Sequence, residues 1–170
     1  MTTHPFLPEE ILRTLIGREI EFVLIGGVAA TLYGSNLRTG DVDICPRRTP
    51  ENLDRLAAAL IQMDARVRAE GVPGGVPFAP DGPFLNTVEL LNLTTRFGDF
   101  DLTFQPIGTA GFDELWSDRV MFELEDITVP VASLADIIRS KEAAGRAKDL
   151  QQLPTLRALL GARRARDEKV

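Results

Sequence analysis

The sequence predicts one α/β (α+β) domain, built from a mixed β-sheet of about five strands with helices packed on it and a helical pair at the C-terminus. Helical and extended patterns alternate through the first 63 residues, a hairpin of alternating polarity follows, and residues 133–166 have two helix-forming stretches. A chain of 170 residues with 44% hydrophobic content has the usual size and composition of a single globular domain. We therefore expect one domain over 1–170, with its core at about 20–160.

The first four elements follow from local signals. Pro8 and two following glutamates predict the start of a helix that ends at Gly17. The apolar run "IEFVLIG" is too short for a buried helix and predicts a strand, and "GVAATLY" predicts a short helix that Gly34 closes. The segment "DVDIC" predicts a second strand, which Pro46 ends.

Two segments of contrasting composition come next. Thr49 is suited to cap an amphipathic helix that runs to about Met63. Its predicted inward residues are Leu53, Leu56, Leu60 and Ile61. Residues 70–83, "EGVPGGVPFAPDGP", contain four prolines and four glycines, which is too many for a regular element, so we expect a loop.

The C-terminal half begins with a predicted hairpin in "TVELLNLTTRFGDFDLTFQP". Its second strand alternates apolar residues on one face with polar residues on the other, the polar ones being Asp99, Asp101 and Thr103. A short helix, "GTAGFDELW", and a strand pair, "RVMFELEDITVPV", follow. Ser133 is expected to cap a helix that ends at Gly145, and a last helix is expected to be kinked or divided at Pro154.

Composition excludes several classes of chemistry. The chain has one cysteine, Cys45, and one histidine, His4, which we expect to lie in a flexible N-terminal segment. Disulfide frameworks, cysteine zinc sites and Ser-His-Asp catalysis are therefore poorly supplied. A net charge of −6 argues against non-specific binding of nucleic acid, although a basic tail, "GARRARDEKV", is present. No apolar run is long enough to span a membrane, and we expect a cytoplasmic protein that does not bind membranes.

Two aspartates in an otherwise apolar segment give the strongest functional signal. Asp41 and Asp43 are two positions apart on a predicted strand, so their side chains point to the same face, where their charges repel unless a cation lies between them. Asp101, or alternatively Asp99, offers a third carboxylate on another strand. An all-oxygen cluster of this kind suits Mg²⁺ better than zinc and has the ligand set of a two-metal site.

Gly26 and Gly27 lie where a predicted strand turns into a helix. Backbone N–H groups at such a turn can bind a phosphate, and glycine allows that phosphate to approach closely. The same glycines could instead serve only a tight turn. The segment 24–44 thus combines a candidate phosphate site with a candidate metal site.

The pattern of an apolar strand, Gly26-Gly27, an intervening segment and "DVDI" resembles the polymerase-beta-like nucleotidyltransferase superfamily, with Asp101 of "GDFDLTF" in the place of its third acid. More narrowly, "GGVAATLYGSNLRTGDVDI" and "SLADIIRSKEAAGRAKDLQQLP" resemble AbiEii-type nucleotidyltransferases, which include toxins of type IV toxin–antitoxin systems. The resemblance covers about residues 20–160. It implies the nucleotidyltransferase fold and an antitoxin protein as a partner.

The resemblance also implies roles for particular residues around a nucleoside triphosphate (NTP). Gly26, Gly27 and Ser35 would hold the triphosphate of the NTP, and Arg38 and Thr39 would flank it. These five residues are the candidate nucleotide-binding group of the first motif.

The remaining implied roles concern metal and the C-terminal motif. Asp41, Asp43 and Asp101 would bind two Mg²⁺ ions and carry catalysis. Lys141 would act as a catalytic cation, and Lys148 and Asp149 complete the nucleotide-binding motif. The implied reaction transfers a nucleoside monophosphate from the NTP to a hydroxyl of an RNA or a protein in a toxin-like role, with a small molecule such as an antibiotic as the alternative acceptor.

Three alternatives accompany these expectations. Arg38 could pair with Asp41 or Asp43 rather than with a nucleotide, and Lys141 could lie on the solvated face of a helix beside Glu142. The fold could also serve a non-catalytic antitoxin or regulatory partner. A pure binding module, however, has no physical need for three converging acids, and this favours an enzyme.

Overall fold

The computed structural model describes residues 5–169, so His4 and the first part of the expected flexible N-terminus lie outside the described residues. Seven helices and eight strands form this part of the chain. The helices are α1 (Pro8–Gly17), α2 (Gly26–Leu32), α3 (Pro50–Gln62), α4 (Gly82–Leu85), α5 (Phe112–Ser117), α6 (Leu134–Ala144) and α7 (Ala147–Asp167). The strands are β1 (Phe22–Ile25), β2 (Asp41–Pro46), β3 (Arg66–Ala69), β4 (Val72–Val76), β5 (Leu90–Thr95), β6 (Gly98–Thr103), β7 (Val120–Leu124) and β8 (Ile127–Val131).

All eight strands belong to one mixed sheet in the order β4-β3-β5-β6-β2-β1-β8-β7. The β2–β6 and β1–β8 pairs are parallel, and the other neighbours are antiparallel. The mixed sheet is as predicted, but it has eight strands and not about five. The sequence signals identified the β7–β8 hairpin at one edge of the sheet but missed the β3–β4 hairpin at the other.

The unpredicted strands are β3 and β4, which form one edge of the sheet. The predicted loop over residues 70–83 is wrong, because its first half is β4 and its last two residues begin α4. Most residues of β4 are exposed, and Gly74 and Gly75 have positive φ angles of 80° and 77°. An exposed edge strand needs no hydrophobic alternation. Without that pattern, the glycines and prolines of this segment predicted a loop.

The core contains side chains from the sheet and from the helices packed on it, including Leu12, Leu56, Phe100 and Leu102, which are fully or almost fully buried. Alternation on β6 is as predicted, since its apolar residues are buried. Ile61 is a correction, because it is 64% exposed. Its neighbours Leu60 and Met63 are fully buried, so Ile61 lies on the face of α3 that points away from the core.

The predicted helix ends are confirmed in detail. Thr49 and Ser133 accept hydrogen bonds from the backbone N–H groups of Asn52 and Asp136, and Gly145 ends α6 in the left-handed conformation with φ 63°. The final helix is not divided, since α7 continues through Pro154. Helix α6 packs against α7, which confirms the C-terminal helical pair. Within residues 5–169, no helix combines the length and the apolar character needed to cross a bilayer.

Candidate active site

Three aspartates converge where β2 and β6 run in parallel. The register pairs Asp43 with Asp101 and Asp41 with Asp99. Carboxylate oxygens of Asp41, Asp43 and Asp101 lie within 4.8 Å of one another. Asp99 instead faces Arg68, whose Nη1 lies 3.1 Å from its Oδ2. Of the two alternatives for the third acid, the structure therefore brings Asp101 into the cluster.

The crowding of these carboxylates opposes their ionisation. Burial, followed by the charges of Asp41 and Asp101, raises the pKa of Asp43 to about 8. Burial and a hydrogen bond with Asp41 also raise the pKa of Asp101, against the lowering effect of Arg68. Three oxygen donors whose negative charge is incompletely balanced fit a hard divalent cation such as Mg²⁺.

The cluster lies in a large cleft with a volume of about 1210 Å³. One wall is the face of the sheet that carries the aspartates. The other wall is formed by the loop before β2 and by helices α6 and α7. Its basic residues are Arg38, Lys141, Arg146 and Lys148. Positive groups thus face a carboxylate cluster across one cleft.

The two predicted glycines pack directly against this cleft. Gly26 has a φ of 73°, and a Cβ added there would collide with the carboxylate of Asp43. A Cβ added to Gly27 would lie 2.6 Å from the Oγ1 of Thr39. No side chain caps the first turn of α2, whose leading N–H groups therefore have no helical or capping partner. Glycine is needed here by close packing whether or not a phosphate also binds.

The other residues of the first motif differ in their positions. Arg38 and Thr39 line the cleft, and the Thr39 hydroxyl donates to the backbone oxygen of Asp41 at 3.2 Å. Within residues 5–169, Arg38 makes no ion pair, so the alternative pairing with Asp41 or Asp43 does not occur. Ser35 is buried, does not line the cleft, and accepts a hydrogen bond from the Leu37 N–H at 3.3 Å. The expected contact of Ser35 with a triphosphate therefore has no geometric support.

The C-terminal motif forms a charge network. Asp149 is buried, with its Oδ1 3.7 Å from Lys141 Nζ and its Oδ2 2.6 Å from Arg146 Nε. Burial raises the pKa of Asp149, but Arg146 and Lys141 outweigh it, and the pKa is lowered overall. Burial lowers the pKa of Lys141 despite the partly compensating charge of Asp149.

These contacts separate the motif residues by function. The side chain of Lys141 is only 13% exposed and lines the cleft, so the alternative that it lies on a solvated face is wrong. Lys148 lines the cleft and is exposed. Asp149 is paired with Lys141 and Arg146 through its two oxygens, and its binding to a nucleotide stays a prediction.

Sequence reasoning missed two arginines. Arg146 directly precedes α7, and its spacing of three residues from Asp149 was a usable signal for an ion pair. Arg68 contacts both Asp99 and Asp101 from β3. No sequence signal could have found Arg68, because its strand was not recognised and its partners are more than 30 residues away.

Known structures with this fold are nucleotidyltransferases or resemble them. The chain matches the lincomycin-bound lincosamide antibiotic adenylyltransferase LnuA with a TM-score of 0.60 and 15% identity over 89% of this chain and 95% of that one. It matches the antibiotic-resistance factor ANT(2'')-Ia with a TM-score of 0.54 and 16% identity over 95% and 91% of the two chains. An antigenic nucleotidyltransferase-like protein from Paracoccidioides brasiliensis gives a TM-score of 0.52 and 17% identity over 89% and 77%.

The chain therefore has the fold of the nucleotidyltransferases. Neither protein-family models nor curated proteins match it. The narrower AbiEii-type resemblance, with its implied antitoxin, consequently rests on the sequence motifs alone.

Proposed function

We propose that this protein is a nucleotidyltransferase that transfers a nucleoside monophosphate from an NTP to a hydroxyl group of an acceptor. The observation that carries the proposal is the convergence of Asp41, Asp43 and Asp101 beside the Gly26–Gly27 turn, in a cleft whose opposite wall is basic. A binding module would gain nothing from three mutually repelling carboxylates, whereas phosphoryl transfer needs such a cation site.

The basic wall is proposed to hold the triphosphate. Lys141 is kept in place by Asp149, and Arg146 lies on the other side of the same carboxylate. Lys148 and Arg38 add exposed charge at the mouth of the cleft. The Thr39 hydroxyl would turn away from the Asp41 carbonyl oxygen and, with the backbone N–H groups of the Gly26–Gly27 turn, would donate hydrogen bonds to phosphate oxygens.

The acidic wall is proposed to hold Mg²⁺. Asp41, Asp43 and Asp101 would be its ligands, and two ions there would supply charge neutralisation for the triphosphate and activation of the acceptor hydroxyl. The protein groups then need only to orient the hydroxyl in line with the α-phosphorus and to stabilise the departing pyrophosphate. Lys141 and Arg146 can do the latter from the basic wall, without a covalent enzyme intermediate.

The acceptor side of the cleft is formed by β3, β4, β5 and the loop after β6. Its side chains include the exposed apolar groups of Val72, Leu90 and Ile107 and the carboxylate of Glu70. Among the described residues that line the cleft on that side, Arg68 is the only basic one, and its charge is paired with Asp99 and Asp101. Such a surface repels the phosphates of RNA and fits a small hydroxylated molecule with apolar parts.

A small-molecule acceptor is therefore our preferred choice over the RNA or protein acceptor that the sequence motifs imply. The neighbours LnuA and ANT(2'')-Ia are, by name, an antibiotic adenylyltransferase and an antibiotic-resistance factor, and an antibiotic-type acceptor is compatible with the cleft. A toxin-like acceptor stays the second candidate, favoured by the AbiEii-type motifs.

The test measures which acceptor receives the labelled nucleoside monophosphate from the NTP. Purified protein is incubated with Mg²⁺ and each of four α-labelled NTPs, together with a panel of hydroxylated small molecules, total RNA or a protein lysate. We expect label in a small-molecule adduct, with release of pyrophosphate. Label in RNA or protein would instead establish the toxin-like acceptor.

The matched control is Asp43→Asn, which changes one atom of the acid cluster. It should give no labelled product with any acceptor. Absence of NTP and metal binding to the wild-type protein would refute the enzyme and leave the non-catalytic alternative.

A further inference from the structure

Arg68 is the residue on which a further inference rests. Its Nη2 group donates to Asp101 Oδ1 and its Nη1 donates to Asp99 Oδ2 at 3.1 Å. Its Nε is buried and has no hydrogen-bond partner in the part of the chain that the structure describes. The guanidinium is thus fixed on two carboxylates of β6, one of which belongs to the acid cluster.

The register of the strands brings Arg68 on β3 level with Asp101 on β6. Register pairs Arg66 with Thr94 and Val67 with Leu93, so the next step brings Arg68 level with Asn92, which pairs with Asp101. Strands are about 4.8 Å apart, so the side chain must span about 10 Å across β5 to reach β6. Only a long cationic side chain can do this.

The edge strand β4 carries an irregularity at the same level. Val67 pairs with Val76 and Ala69 with Val72, so Arg68 faces three residues of β4, which include Gly74 and Gly75. Both glycines have positive φ angles, and a Cβ at Gly75 would lie 2.9 Å from the Val67 carbonyl oxygen. Bulges of this kind re-aim side chains and are common beside active sites. The irregularity in the β3–β4 pairing thus lies directly opposite Arg68.

We propose that Arg68 is a built-in counter-ion of the metal site. It occupies one oxygen of Asp101 and places a positive charge beside the three aspartates, so it keeps the empty cluster assembled and competes with a divalent cation for it. Arg68 thereby sets the metal concentration at which the site fills. This inference rests on the proposed function, since it requires that the aspartates bind a metal.

Competition with the cation and a merely structural role predict opposite changes in metal affinity when Arg68 is removed. If Arg68 only oriented Asp101, its removal would weaken metal binding. If Arg68 competes with the cation, its removal tightens metal binding, because the site gains an oxygen and loses a repelling charge. For charges in contact in a partly exposed site, this effect is on the order of tenfold.

The experiment measures Mn²⁺ binding by electron paramagnetic resonance, with Mn²⁺ as a spectroscopic substitute for Mg²⁺. The variants are Arg68→Gln, Arg68→Lys and Arg66→Gln. The last removes the same charge two positions earlier on β3, from a side chain that makes no ion pair with a residue in 5–169. We expect about tenfold tighter binding for Arg68→Gln, an intermediate value for Arg68→Lys and less than a twofold change for Arg66→Gln.

A second readout needs no activity. In metal-free buffer, Arg68→Gln should have a lower melting temperature than the wild type, and saturating Mn²⁺ should close that gap because the metal replaces the lost charge. If Arg68→Gln does not fold, Arg68→Lys replaces it in the experiment. We then expect Arg68→Lys to bind Mn²⁺ more tightly than the wild type does.

Each other outcome overturns the proposal. Unchanged or weaker Mn²⁺ binding in Arg68→Gln would show that Arg68 does not compete, and equal affinities of the Lys and Gln variants would show that charge is not the cause. A wild-type protein that binds no Mn²⁺ would overturn both this inference and the proposed metal site. Tighter binding in Arg68→Gln without nucleotidyl transfer in any acceptor assay would uphold the inference and refute the proposed function.

Discussion

The two walls of the cleft carry their charges in opposite ways. We call the first the sheet wall, formed by Asp41, Asp43 and Asp101, where like charges crowd together and the only ion pair among the described residues is that of Asp101 with Arg68. We call the second the helix wall, where Asp149 holds two cations in a closed network. The sheet wall is therefore electrostatically incomplete in the protein alone, and the helix wall is complete.

This difference predicts opposite responses to mutation. Removing a charge from the sheet wall relieves repulsion and should not destabilise the fold, although it removes a metal ligand. Removing a charge from the helix wall leaves its partner buried without compensation. Carboxylates whose charge is poorly balanced by the protein indicate a ligand-binding site. A balanced network of charges indicates residues that hold one another in position.

The largest expected effect is that of Asp43→Asn on transfer. The loss of one ligand should lower the rate by at least about 10³-fold, equivalent to several kcal/mol of transition-state stabilisation. Because the pKa of Asp43 is raised to about 8 by burial and by its acidic neighbours, the neutral amide should leave the metal-free protein as stable as the wild type or more stable. Labelled-NTP assays and thermal melts measure the two effects. A clear fall in the melting temperature of the metal-free variant would contradict the account of the sheet wall.

The next effect concerns the helix wall. Asp149→Ala should lower the free energy of unfolding by about 2–4 kcal/mol, because it leaves the largely buried Lys141 without its anion. The matched control is Glu142→Ala, which breaks the exposed pair of Glu142 with Arg157 and should cost less than about 0.5 kcal/mol. Urea denaturation compares the two variants. Equal, small losses would mean that the network around Asp149 contributes nothing to stability.

The same contrast explains what the sequence could predict. Residues 22–46 carry hydrophobic patterning, glycines and acids within one short segment, so local rules predicted its strands and short helix and also the residues of the candidate site. The helix capped by Ser133 and ended by Gly145 was equally predictable from the sequence. Each of these signals is local in the chain.

The missed features depend on contacts between distant segments. Strand β4 is exposed and rich in glycine, so its pairing gives no periodic signal, and the contact of Arg68 with Asp101 depends on the register across three strands. The burial of Ser35 likewise follows from packing and not from its position after Gly34. The ion pairs of Asp149 with Arg146 and Lys141 likewise appear only in the structure.

Lys141 tests whether the helix wall acts on the nucleotide. Lys141→Ala should weaken NTP binding or lower transfer by about 10- to 100-fold, the size expected for the loss of one charge-assisted contact. Lys141→Arg should restore part of the activity, since a guanidinium keeps the charge but has a different shape. Glu142→Ala, one position further along α6, should be silent. If Lys141→Ala also behaves like the wild type in NTP titrations, the helix wall is scaffold only.

The last expected effect is a dependence of stability on pH to which the acids of the sheet wall contribute. Burial and the neighbouring acids raise the pKa of Asp43 from an ordinary value of 3.8 to about 8 in the folded protein. Between these values the folded state binds a proton that the unfolded state releases, so the free energy of unfolding falls as the pH rises from about 4 to about 8. The raised pKa of Asp101 acts in the same direction.

The measurement is a series of thermal melts of metal-free protein across that range, in which each 1 kcal/mol corresponds to about 2–4 °C for a chain of this size. Asp43→Asn should flatten most of the slope because it has no proton to lose. Mg²⁺ should also flatten it, by favouring the ionised carboxylates that the metal-free protein disfavours. Asp149 has a lowered pKa, so its contribution has the opposite sign and lies at acid pH, where stability is lost as the pH falls through its folded-state pKa. A metal-free wild type whose melting temperature rises from pH 5 to pH 8 would show that the acids of the sheet wall are compensated, and would remove the contrast between the two walls.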